Sequence, residues 1–198
     1  RVTDYNRYDE ILFDPRIGIK YTPISDLALK ASWGKYSQFL YTINEEDELL
    51  RIVDFWQPIP KGEKPQKAIH YILGSEYWIS DGNTFSIETY YKDYSNIYDL
   101  NPAIDITNVE ETLALSGTAK SFGIEFLYRM KLDKITGWIS YAYSQTERTV
   151  DLNSDGYIWE EREKYPAKYN KPHSFSSVIS YQLNNKYSFG LSCVYGSG

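Results

Sequence analysis

Between Ser121 and Met130 the chain alternates. Phe122, Ile124, Phe126, Tyr128 and Met130 are apolar, while Ser121, Gly123, Glu125 and Arg129 between them are small or charged, with Leu127 the exception. Successive side chains of a strand point to opposite faces, so this spacing predicts a strand with one apolar and one polar face. The pattern resumes after Leu132-Asp133-Lys134-Ile135, with Ile139, Tyr141 and Tyr143 set against Ser140, Ala142 and Ser144. The stretch 116–144 therefore predicts one long β-hairpin. Arms of about ten residues or more are long for a soluble strand and match what a tilted strand needs to cross a bilayer.

The same alternation predicts three further hairpins. In the first, Ile17, Ile19 and Tyr21 return, after a turn at 23–26, as Leu27, Leu29, Ala31 and Trp33. In the second, Tyr71, Leu73, Tyr77 and Ile79 return through Ser80-Asp81-Gly82-Asn83 as Phe85, Ile87 and Tyr91. Asp, Gly and Asn tolerate the positive φ that a tight hairpin turn demands. In the last, Phe175, Ile179 and Tyr181 return after 184–186 as Tyr187, Phe189, Leu191, Cys193 and Tyr195. Eight strands result, joined in turn by short turns near 23–26, 80–83, 132–135 and 184–186 and by long connections near 37–66, 98–115 and 150–169. Short turns then share one end of an up-and-down sheet and long loops the other, the asymmetry of an outer-membrane barrel. No stretch keeps a helical period for three turns.

Composition narrows the class. No run of about 18 apolar residues is present, which excludes a transmembrane helix but not a barrel, whose strands have a weak hydropathy signal. Twenty tyrosines and five tryptophans suit a membrane interface, and equally a sugar-binding surface. A net charge of −6 without clustered Lys and Arg argues against nucleic acid as a partner. The single Cys193 has no disulfide partner in the chain and reads as a small apolar residue. The polar parity holds Arg16, Lys20, Lys30, Glu76, Glu88, Lys92, Glu125 and Arg129. Inside a closed eight-stranded barrel these charges would need close pairing; a wide, watered lumen solvates them.

Asp14-Pro15-Arg16-Ile17-Gly18-Ile19-Lys20-Tyr21, and Leu27 to Gly34 followed by Tyr36, Gln38 and Phe39, resemble the barrel of TonB-dependent outer-membrane receptors. Gly117-Thr118-Ala119-Lys120-Ser121-Phe122-Gly123-Ile124-Glu125 is similar to that family's Gly-x-x-x-x-x-Gly-(Ile/Val)-Glu strand opening, and Asn170-Lys171-Pro172-His173 leads into a Ser-rich strand as in the family. The resemblance implies an all-β, antiparallel up-and-down transmembrane barrel of about twenty-two strands around a plug, of which residues 1–198 would supply eight strands and no plug domain. It further implies a bacterial outer-membrane location and uptake of a scarce nutrient, such as siderophore-bound iron, cobalamin or a saccharide. The partners implied are the lipid bilayer and a TonB-type energising protein that contacts a segment outside this chain. The chain reads as a fragment or a trimmed protein, since it opens on Arg1 and stops in mid-pattern. Two alternatives stay open: a stand-alone β protein that binds carbohydrate, and a small eight-stranded outer-membrane adhesin.

No motif points to an enzyme: a nucleophile elbow, a His-Glu-x-x-His pair and a glycine-rich phosphate loop are all missing from the sequence. One motif points to a metal. Asp151, Asn153, Asp155 and Gly156 have the spacing of the first half of a calcium loop, in which alternate oxygens converge on a hard cation. Position 12 of that loop is Arg162 rather than a bidentate Glu, with Glu160 and Glu161 nearby. A polar turn is the competing reading, and calcium is the one cofactor the sequence raises. His70 and His173 stand near strand starts, and His173 reads as an interfacial or lumen-facing polar residue rather than a ligand. Phe39, Tyr41, Phe55, Trp56, Tyr157 and Trp159 are candidates for a cargo-binding mouth or for loop packing.

Overall fold

The computed structural model describes residues 1–5, 10–43, 55–59, 63–99, 115–151, 162–167 and 170–197. Every regular element among them is a strand: β1 (Val2–Tyr5), β2 (Glu10–Phe13), β3 (Arg16–Ile24), β4 (Leu27–Gln38), β5 (Leu40–Ile43), β6 (Phe55–Pro58), β7 (Gln66–Ser80), β8 (Asn83–Asp99), β9 (Leu115–Leu132), β10 (Ile135–Asp151), β11 (Arg162–Pro166), β12 (His173–Gln182) and β13 (Ser188–Gly196). Eight of them lie in the order β13-β12-β10-β9-β8-β7-β4-β3 in one antiparallel sheet. The up-and-down sheet read from the sequence is thus the sheet observed. The strand β11 pairs with the far end of β10, Glu147 to Asp151, and extends the line that β12 takes along the same strand.

Local chemistry fixes the short turns. Gly82 adopts φ +80°, the left-handed conformation glycine takes without steric cost. Buried Asn83 follows it; its side-chain amide donates to Ser80 Oγ at 2.7 Å and to the Lys131 carbonyl at 3.1 Å, while its Oδ1 accepts from the Lys131 N–H at 3.2 Å. This turn is thereby fastened to the neighbouring β9. At the last turn Asn184 Oδ1 accepts from the N–H groups of Lys186 and Tyr187 at 2.9 and 3.0 Å, the local side-chain bonding that favours Asn in turns. The strand β3 runs on through Pro23 to Ile24, past the predicted end, with its register to β4 broken between Tyr21 and Ile24. Proline removes a ladder donor and is found at edges and irregularities of this kind.

The register sorts the side chains. One row across the sheet is Tyr21, Leu29, Ser75, Ile87, Phe126, Tyr141, Phe175 and Tyr195, one residue from each of the eight strands. The next row, one residue along, is Lys20, Lys30, Gly74, Glu88, Glu125, Ala142, Ser174 and Gly196. Paired residues of an antiparallel sheet share a face and successive residues do not. Eight separately patterned strands therefore bring their apolar parities to one face, here called outer, and their polar parities to the inner one. Rings on the outer face meet across strands: Phe85 to Phe126 at 6.4 Å, Phe126 to Tyr141 at 6.3 Å, and Tyr71 to Tyr91 at 6.4 Å between centroids. These separations lie in the range of favourable aromatic pairing. Leu127, the exception in the central strand, points inward in the row of Ala28, Glu76, Ser86 and Ser140.

A soluble domain buries such a face against a second layer. Here the described residues form one layer, and Ile17, Ile19, Tyr21, Leu73 and Leu191 are each at least 60% exposed. Burial of the outer face has to come from beyond these residues. The apolar face also has a measurable height. On β9 it runs over six alternate positions from Phe122 to Leu132; ten steps of about 3.4 Å, inclined at about 40°, span roughly 26 Å, about the height of a barrel's lipid-facing band. Beyond it, toward the long loops, the outer row becomes Lys35, Ile69, Asp93, Lys120 and Glu147. Charge thus closes the band on four strands at one register.

The sequence reading left three pairings unassigned. A β1–β2 hairpin precedes β3, a β5–β6 hairpin forms inside the connection near 37–66, and β11 lies inside the one near 150–169. Two further tethers hold the loop end. Asn96, at φ 55°, makes a bulge in β8, donates to the Pro65 carbonyl at 3.1 Å, and is followed by Tyr98, whose hydroxyl donates to the Lys64 carbonyl at 2.5 Å. Asn tolerates positive φ and β-branched residues do not. Asn96→Val is expected to cost about 2 kcal/mol, from the strained backbone and the lost hydrogen bond together, read as a lower midpoint in chemical unfolding of the full-length protein.

Candidate functional site

The inner face is where the polar chemistry gathers, and it divides into two zones. Nearer the turns, positive and negative groups mix. Lys30 Nζ lies 2.5 Å from Glu76 Oε2, with the two side chains 48% and 19% exposed, a geometry worth only about 0.2–1 kcal/mol in water. Glu88 and Glu125 stand directly opposite each other on β8 and β9, an unfavourable pairing unless water or a counter-charge sits between them. Lys20 Nζ lies 5.6 Å over the Trp78 ring.

Nearer the long loops the inner face is cationic and aromatic. Arg16, Gly34, His70 and Lys92 form one row across β3, β4, β7 and β8, and Tyr36, Ala68 and Tyr94 form the row beyond it. The Arg16 guanidinium lies 4.2 Å over the Tyr36 ring, and Lys92 Nζ lies 4.5 Å over the Tyr90 ring. The His70 ring sits 4.3 Å from Tyr36 and 6.1 Å from Tyr94. Glycine makes this layer possible. A Cβ on Gly34 would come within 3.1 Å of both Arg16 Cγ and Tyr36, and one on Gly123 within 2.7 Å of the Tyr90 hydroxyl. Rings therefore lie flat across backbone that carries no side chain, in the manner of aromatic rescue of sheet glycines.

Other candidates are dispersed. Asp151 is the last residue of β10, paired with Arg162; Asn153 and Asp155, and with them the calcium motif, lie outside the described residues. Among the described residues no group of three His, Cys, Asp or Glu side chains is placed to hold a metal ion. His173 lies on the outer face opposite Tyr143 rather than toward the lumen, with Nδ1 2.8 Å from the Tyr141 hydroxyl and its ring 5.3 Å from that of Tyr143. Cys193 is on the outer face too, opposite Ser177, and exposed. Of the loop aromatics, Trp56 is exposed on β6 and Phe39 half-buried before β5, and Tyr157 and Trp159 lie outside the described residues. The basic and aromatic cluster escaped the sequence reading: a hairpin centred on Asp81-Gly82 would set His70 opposite Asp93, and the bulge between Trp78 and Ser80 brings it to Lys92 instead.

The family model described as TonB dependent receptor-like, beta-barrel matches residues 1–198. The chain belongs to that family. No curated protein and no solved structure matches it. As part of a TonB-dependent receptor-like barrel, the two-faced sheet is a length of wall, and the cation-aromatic cluster is a patch on its inner surface. β3 and β13 end the described sheet without pairing to each other. A barrel closed from these eight strands alone, which the adhesin alternative requires, would join them.

Proposed function

We propose that this chain is part of an outer-membrane, TonB-energised receptor that takes up a scarce nutrient: siderophore-bound iron, cobalamin or a saccharide. The observation that carries this reading is the family match over the whole chain, on a wall whose register puts every apolar parity on one face. Phe122, Ile124, Phe126, Tyr128, Ile139, Tyr141 and Tyr143 then face lipid, and Glu125 and Arg129 face the lumen. The short turns lie on the periplasmic side and the long loops outside the cell, as barrels of this kind are built. No role as an enzyme is needed: the wall binds, orients and admits cargo, while the energising protein acts through a segment outside this chain.

The reading is tested in cells lacking the full-length protein, grown with limiting iron, cobalamin or polysaccharide. A growth deficit confined to one medium is expected, and removing the inner-membrane energising protein should reproduce it. Equal growth in every medium overturns the uptake role.

A further inference from the structure

We propose that the loop-side patch of the inner wall, centred on Arg16, His70 and Lys92, binds an anionic ligand through its charge and through a flat face of its body. The inference rests on the uptake reading only in taking the inner face as watered and reachable by cargo. Its own support is the arrangement of the side chains.

Arg16, His70 and Lys92 occupy one row, spanning about 14 Å between the outermost backbones at the usual strand spacing. Neither Arg16 nor Lys92 forms a salt bridge with another described residue. Each is instead held over a tyrosine ring, which steadies a cation while leaving its N–H groups open to an acceptor. On β4, β7, β8 and β9 the inner positions from this row to the loop ends include Tyr36, Gln38, Gln66, Ala68, Tyr94 and Ala119; the carboxylate position among the described ones is Asp99, opposite Leu115 at the last residue of β8, three inner positions of β9 beyond the partner of Lys92. Asp14, which lies closest to Arg16 in sequence, is buried and accepts from Ser37 Oγ at 2.7 Å. The other inner carboxylates of these four strands lie farther toward the turns, at Glu76, Glu88 and Glu125. The row of Arg16, His70 and Lys92 therefore has no carboxylate in it or in the next inner row of β4, β7 and β8, and its positive charge attracts an anion arriving from the loop end.

The rings of Tyr36, Tyr90 and Tyr94 supply the second half of the recognition. They flank the row of cations and are half-buried, and they offer π-faces and hydroxyls to a planar or sugar-like surface. A ligand that satisfies both halves is a polyanion built on a ring. The competing occupant is a carboxylate from elsewhere in the same protein, packed permanently against the patch.

The experiment titrates the full-length receptor in detergent, by calorimetry, with trimesate and with its uncharged triol counterpart. Trimesate should bind at least about tenfold more tightly than the triol. Arg16→Gln and Lys92→Gln should each weaken it by roughly tenfold, the scale of one charge-assisted hydrogen bond, with Arg16→Lys restoring most of the loss and Glu88→Gln leaving it unchanged. Equal affinity for the triol, or trimesate binding that survives Arg16→Gln/Lys92→Gln, overturns the proposal. Absence of trimesate heat also overturns it; if the double variant then unfolds at lower temperature, the protein's own carboxylates fill the patch. Binding is read without the energising protein, so a negative result here leaves the growth test of uptake standing.

Discussion

Phe126→Arg is expected to destabilise the full-length barrel by about 2–4 kcal/mol, the cost of placing an Arg near the bilayer midplane on the lipid side. Phe126 lies midway along the apolar run of β9, and its ring meets those of Phe85 and Tyr141 on the neighbouring strands. The substitution removes both contacts as well as adding a charge to the outer face. Its neighbour supplies the control. Glu125 is one residue away on the inner face, opposite Glu88, and Glu125→Arg replaces a like-charge pair by an opposite one. Stability there should stay within about 0.5 kcal/mol or rise slightly. Urea unfolding from phospholipid vesicles reads both. Equal losses at the two positions would mean that the outer face is not the lipid face.

Gly137→Ala is the second large effect expected, and it acts on the backbone. A Cβ at Gly137 would sit 2.2 Å from the Val178 carbonyl oxygen and 2.9 Å from Ile179 Cα. Neither is the movable end of a side chain, so β10 and β12 must separate or twist apart. Overpacking of this kind costs about 1–3 kcal/mol. Gly18→Ala is the matched control, since a Cβ there meets nothing within 4 Å; it should change stability by less than about 0.5 kcal/mol. Comparable losses at both glycines in the same unfolding assay would show that strand flexibility, rather than the close approach of β10 and β12, decides the cost.

The contrast between these glycines shows what a sequence of this kind displays and what it hides. A period of two is legible because it repeats along each strand, so Phe126 and Glu125 were assigned to opposite faces from spacing alone. Short turns then fix which residues meet within a hairpin to within a bulge, such as the one between Trp78 and Ser80 that brings His70 to Lys92. Contacts between hairpins depend on long connections, whose geometry leaves no periodic trace; that is why the approach of Gly137 to Val178, and of Gly123 to Tyr90, is absent from the pattern. The four-residue strands β1, β2, β5 and β6 are too short to show alternation. The cation-aromatic patch was hidden for a related reason: Arg16, Tyr36, His70 and Lys92 come from four strands, and only their shared register makes them neighbours.

The charged row of Lys35, Asp93, Lys120 and Glu147 gives the wall a mechanical property. Shifting the barrel along its axis by one pleat, about 7 Å of strand, would carry that row into hydrocarbon on four strands at once. Near the interface each buried charge costs up to about 1 kcal/mol, and more with depth, so the restoring force is the sum over the strands and steepens with displacement. In the orientation proposed above, a pull applied from the periplasm to anything inside the lumen would meet a wall that stays at its height, and the load would fall on the contents of the barrel.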